Sequence, residues 1–120
     1  MATATIQIYS ILDSSMVFVP TTAVGNITSA TAINKNFLGD PYVVYSTVYT
    51  TSPAKFGSTV KITASATQSA SRAFTCYIGM GGILRKVIVT IASSAANGTA
   101  LLEGEGKVDF IFVSPPTLND

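Results

Sequence analysis

Residues 74–91 read FTCYIGMGGILRKVIVTI. Phe74, Cys76, Ile78 and Met80 alternate with Thr75, Tyr77 and Gly79 as far as two adjacent glycines, Gly81 and Gly82, and a second apolar run follows from Ile83. Period two is the signature of a strand with one buried and one wetter face. Two such runs separated by glycine predict strands at 73–80 and 83–92, joined by a hairpin turn or bulge that uses glycine for positive φ.

The same stretch carries residue types that elsewhere do chemistry, and its context argues against each. A dinucleotide-binding loop needs a third small residue where Leu84 stands, and a helix after it; here a strand follows. A Walker-type loop needs Gly-Lys-Ser/Thr, whereas Gly82 precedes Ile83 and Leu84. Cys76 is the only cysteine, and the chain has no histidine to draw off its proton. Alternation with Phe74 and Ile78 makes Cys76 a buried structural thiol in the core. Arg85 and Lys86 are neighbours, so on a strand they point to opposite faces and mark an edge, a solvent face or a partner.

Outward from this hairpin the period stays at two, and no run of apolar residues at i, i+3, i+4, i+7 supports a helix. Further strand-like segments fall at about 3–12, 16–24, 29–38, 42–51, 58–67 and 99–113, the last being one bent strand or two. In STVKITASAT (58–67), Val60, Ile62, Ala64 and Ala66 alternate with Thr59, Lys61, Thr63 and Ser65. Turn chemistry separates the segments: GDPY at 39–42, SPAKFG at 52–57, a polar break SASR at 69–72, and AANG at 95–98 with an Asn-Gly pair of hairpin type. Many short strands at this spacing predict an all-β fold, a single-domain antiparallel β-sandwich of about eight strands, jelly-roll or immunoglobulin-like. The domain is expected to span residues 1–120, with 114–120 (SPPTLND) as an extended C-terminal tail stiffened by two prolines.

Composition agrees. The chain is 48% hydrophobic and only 11% charged, against about 25% charged in an average soluble domain. Sixteen Thr and thirteen Ser supply the missing polar surface, and Thr suits a pleated sheet. The formal net charge is +1, so no general field holds a polyanion and nucleic acid is not an expected partner. The charges are nonetheless segregated. Between Asp40 and Glu103 every one is positive; from Glu103 onward Glu103, Glu105, Asp109 and Asp120 outnumber Lys107.

Two segments, KVIVTI (86–91) and VDFIFV (108–113), are apolar at both parities. For the second, Val108, Phe110 and Phe112 are expected to line the core, with Ile111 and Val113 pointing the other way. A sheet covered on both faces needs a second layer, either another part of the chain or another subunit. Ile111, Val113, Arg85, Lys86, Glu103 and Glu105 are therefore the candidate subunit-contact residues.

Other sites carry less. Glu103 and Glu105, at i and i+2, share a face in the manner of a calcium or acid–base pair, but flanking glycines and Lys107 describe a solvated bend equally well. Asn26-Ile27-Thr28 and Asn97-Gly98-Thr99 match the glycosylation pattern, in a chain so rich in Thr that chance supplies such matches. Tyr45 and Tyr49, placed on one strand face, with Tyr42 off it, would serve as a ligand platform. No catalytic residue, metal site or cofactor is expected. The N-terminus lacks the basic residues of a signal peptide, and Pro20, Gly25 and Asn26 interrupt the longest uncharged stretch, so neither export by that route nor a transmembrane helix is expected.

A weakly charged, Ser/Thr-rich β-domain with two-sided strands suits packing against copies of itself and other structural proteins. The expectation is a non-enzymatic structural subunit, in particular a virion protein (capsid, vertex or decoration) assembled in a host cytoplasm. The alternatives are an extracellular filament or surface-layer subunit joined by strand exchange, and a carbohydrate- or ligand-binding module.

Overall fold

The computed structural model describes residues 3–10, 16–20, 43–45, 48–49, 58–104, 108–116 and 118. They form nine strands and no helix: β1 (Ala4–Ser10), β2 (Met16–Pro20), β3 (Val43–Tyr45), β4 (Val48–Tyr49), β5 (Ser58–Ala64), β6 (Arg72–Met80), β7 (Ile83–Ile91), β8 (Asn97–Leu102) and β9 (Val108–Ser114). The segment expected as a strand at 29–38 lies outside the described residues. Residues 99–113 are two strands, β8 and β9, which belong to different sheets.

All pairing is antiparallel, in a sheet of order β4-β2-β1-β5-β8 and a sheet of order β3-β9-β6-β7. The pairs nest around one turn. Arg72 to Met80 pairs with Ile91 to Ile83; the flanking strands β5 and β8 pair in the other sheet, Ser58 with Leu102 through Thr63 with Asn97; outside them β3 and β9 pair in the sheet of β6 and β7, Val43 with Val113. This is one long antiparallel hairpin folded across itself. At its centre Gly81 and Gly82 form a two-residue turn with φ of 53° and 87°. Positive φ at both central residues matches the right-handed twist of the strands it joins.

The inward residues of both sheets form a single hydrophobic cluster. Ala4, Ile6 and Ile8 of β1, Val60, Ile62 and Ala64 of β5 and Leu102 of β8 meet Phe74, Cys76, Ile78 and Met80 of β6, Val87, Val89 and Ile91 of β7, and Val108, Ile111 and Val113 of β9. Each large aliphatic or aromatic side chain so buried contributes about 1.5–3 kcal/mol. Leu118 also joins the cluster, so the tail segment is tied to the core at that residue.

Two expectations are corrected here. First, the faces of β9 are exchanged: Ile111 and Val113 are fully buried, while Phe110 and Phe112 lie on the other face, partly exposed. The cause is a bulge. Cys76, Ile78 and Gly79 pair with Val113, Ile111 and Phe110, but Met80 pairs with Val108. Without the shift Met80 would pair with Asp109; the extra residue brings Val108 to that position and reverses the parity of everything after it. Second, Asn97-Gly98 is not a hairpin turn. It opens β8, and the link from β7 crosses between sheets through Ala92 to Ala96, with Ser94 at φ 69°.

That crossover packs on the neighbouring one, residues 65–71 between β5 and β6. Ser94 N donates to Gln68 O (2.7 Å), Gln68 N to Ala95 O (2.9 Å) and Ala64 N to Ala96 O (2.7 Å). The Gln68 side chain is fully buried; its Nε2 donates to Ala66 O at 2.9 Å, and its Oε1 accepts from Arg72 Nε at 3.1 Å. A buried amide is tolerated where both its ends are bonded.

Candidate assembly surface

Among the described residues, strands β7 and β8 are each the last strand of their sheet, and they lie side by side. At one end they touch. A Cβ built on Gly98 would overlap the Thr90 carbonyl oxygen and stand 2.7 Å from Thr90 C, so only glycine admits this approach of two backbones. From there the strands diverge and open a groove of about 420 Å³, lined by Leu84, Arg85, Lys86, Val87 and Ile88 on one wall and by Ala100, Leu101 and Glu103 on the other.

The β7 wall is an arm. Val87, Val89 and Ile91 are buried in alternation, but the four residues nearest the turn, Ile83, Leu84, Arg85 and Lys86, are all exposed. A strand segment exposed at both parities is only partly covered on either side. The large hydrophobic residues that stand exposed among the described residues are Ile83 (52%), Leu84 (49%), Ile88 (51%) and Leu101 (57%), and all four belong to β7 or β8. Scattered exposed apolar residues are ordinary; their concentration on two adjacent sheet edges is not.

The outer face of the β3-β9-β6-β7 sheet continues the apolar character. Cross-strand pairing sets Leu84, Gly79 and Phe110 in one row and Lys86, Tyr77 and Phe112 in the next. The Phe110 ring lies over Gly79, whose missing side chain leaves the space, and its centroid is 5.0 Å from that of Phe112. A small hollow of about 150 Å³ sits beside it between Gly79, Gly82, Ile83, Leu84 and Phe110. The outer face of the β1-β5-β8 region differs: Thr5, Gln7, Thr63, Lys61 and Thr99 alternate with the core residues.

Arg85, Lys86 and Glu103, singled out in the sequence, thus line one groove within one chain. Arg85 also lies against Gly104, where an added Cβ would be 3.3 Å from its Nε. Gly104 has φ of 120°, so the backbone conformation requires glycine there. Glu105 lies outside the described residues. Ile111 and Val113 do not belong to the surface, since both are in the core. Ile83, Leu84, Ile88 and Leu101 were missed in the sequence. Ile83 and Leu84 carried a usable signal: two adjacent large residues on a strand take opposite faces, so one of them must leave the core.

Cys76 is fully buried, with its thiol 3.9 Å from Phe74 O, and burial pushes its pKa up from 9.0 to about 12. Among the described residues no three His, Cys, Asp or Glu stand close enough to share a metal ion. The tyrosine platform fails on topology: Tyr45 belongs to β3 and Tyr49 to β4, strands of different sheets, and Tyr42 lies outside the described residues. No described helix is long and apolar enough to cross a membrane. No protein-family model, curated protein or solved structure matches the chain.

Proposed function

We propose that this chain is a non-enzymatic structural subunit of a self-assembling particle, in the class of virion capsid, vertex or decoration proteins, put together in a host cytoplasm. The observation that carries the reading is the gathering of Ile83, Leu84, Ile88 and Leu101, each about half exposed, on the adjoining edges β7 and β8. Exposed edges that carry large apolar residues drive association unless something covers them, and burying four such side chains is favourable at about 25 cal/mol per Å² removed from water. A near-neutral chain suits a shell or its outer surface better than direct contact with a packaged genome.

The nested pairing of β6–β7, β5–β8 and β3–β9 favours a jelly-roll sandwich over the immunoglobulin-like form, because a rolled hairpin places successive pairs alternately in the two sheets. That architecture serves many assembly proteins, and the link from fold to role is one of class. Among the described residues the groove's ionisable groups are Arg85, Lys86 and Glu103, with no histidine in the chain and its one thiol buried. This inventory supports a packing surface more than a reaction centre.

The test is the solution mass across a concentration series, by light scattering and sedimentation velocity, with electron microscopy of the largest species. A discrete, concentration-dependent oligomer is the expected result. A monodisperse 12.5 kDa monomer at every concentration would refute the proposal.

A further inference from the structure

Building on that reading, we infer that the β7–β8 groove is the contact between two copies of this chain related by a two-fold axis, the β7 arm of each seating against β8 of the other. Two independent features choose a second copy as the occupant. The first is the exposed apolar set, which is split across the walls: Ile83, Leu84 and Ile88 on β7, and Leu101 on β8. An isologous contact brings each wall onto its complement, since residue i meets residue j on both sides of the axis.

The second feature is charge. The β7 wall carries Arg85 and Lys86 and the β8 wall carries Glu103, so a two-fold contact sets the cations of each copy against the second copy's Glu103. Opposed walls of opposite sign favour this register and oppose β7 against β7, where the four cations would meet. An RNA or DNA strand is the poorer occupant. Its phosphates would face Glu103, and the described residues of the groove offer aliphatic side chains in place of the aromatic platforms on which bases stack. Among the described residues both strands are also terminal in their sheets, and no described strand pairs with β7 or β8 on the groove side.

A charge-exchange experiment tests the contact. Arg85→Glu/Lys86→Glu makes both walls acidic, and Glu103→Lys makes both basic. All three positions are exposed, so at protein concentrations where every form is monomeric the urea midpoints should stay at the wild-type value. Each variant alone should dissociate with Kd raised at least about tenfold, because like charges then oppose one another on both sides of the axis. Mixed in equal amounts the two variants should recover association as a heterodimer, read by native mass spectrometry. Leu101→Ser, which changes no charge, should weaken association as well.

If the wild type forms oligomers and both variants do so undiminished, or if the mixture fails to recover, the groove is not the contact, while the self-assembly reading stands on another surface. If the wild type is monomeric throughout, both fall. A salt-dependent shift of a labelled oligonucleotide by the monomer, lost in Arg85→Glu/Lys86→Glu, would overturn the inference in favour of nucleic acid.

Discussion

Gly98→Ala is the sharpest test of how the two sheets meet. The substitution adds one methyl group at the point where β8 crosses the carbonyl of Thr90. That methyl would overlap the carbonyl oxygen, with Thr90 C at 2.7 Å and Ile91 N at 3.1 Å. Non-bonded carbon atoms settle at about 3.5–4.0 Å, so roughly 1 Å of separation must be found. The obstacle is backbone, and neither strand is free to yield: Thr90 is paired with Ala73 and Gly98 with Ile62. Overpacking of this kind costs about 1–3 kcal/mol, and a rigid obstacle puts the expected loss near 3. Alanine's better strand propensity recovers only about 0.5–1 kcal/mol of this. In a chain of this length the change corresponds to a fall in Tm of about 8–12 °C. Urea unfolding followed by circular dichroism reads it as a lower midpoint at unchanged slope. Thr99→Ala, one residue along at an exposed position, is the control and should stay within about 0.5 kcal/mol. If Gly98→Ala also stays within 0.5 kcal/mol of wild type, β7 and β8 do not approach as described, and the groove that opens beyond them loses its hinge.

Three further outcomes follow from the same structure. The Cys76 thiol ionises near 9.0 when unfolded and near 12 when buried; the proton is held in the folded state, so stability is full below pH 9 and falls at up to about 1.4 kcal/mol per pH unit above it. Cys76→Ala should flatten that slope relative to wild type, and the native thiol should resist a thiol reagent that the urea-unfolded chain consumes at once. Gln68→Leu removes a fully buried amide that bonds Ala66 O and Arg72 Nε and should cost about 1–3 kcal/mol by urea denaturation, with equal stability sinking the idea that this amide holds the 65–71 crossover in shape. Ile111→Ala should cost about 2–5 kcal/mol and Phe112→Ala clearly less, the reverse of what plain alternation from Val108 implies; the opposite order would remove the bulge at Met80.

Much of this molecule is legible without coordinates. Alternation is a property of a strand and its own neighbours in sequence, so the residues Phe74, Cys76, Ile78 and Met80 declare one face of β6, and Val60, Ile62 and Ala64 one face of β5. Gly81 and Gly82 declare the turn between β6 and β7, because few other residues accept positive φ twice in succession. The all-β class follows from these local signals together with a Ser/Thr-rich composition.

Three things required the assembled chain. The bulge opposite Met80 inverts β9, and nothing in VDFIFV announces it, because a bulge is a relation between two strands and not a pattern within one. Gly98 sits in an Asn-Gly pair that reads as a turn, yet its purpose is to let the backbone of β8 pass Thr90, a contact between sheets that no local rule contains. The groove joins Arg85 and Lys86 to Glu103 across seventeen or more positions of sequence, since β7 and β8 end different sheets and become neighbours only when the long hairpin folds over itself. Sequence determined which residues prefer strands and which of them prefer to be buried. Tertiary structure alone decided which strand edges were left facing one another, and that is the part of this protein on which its proposed role depends.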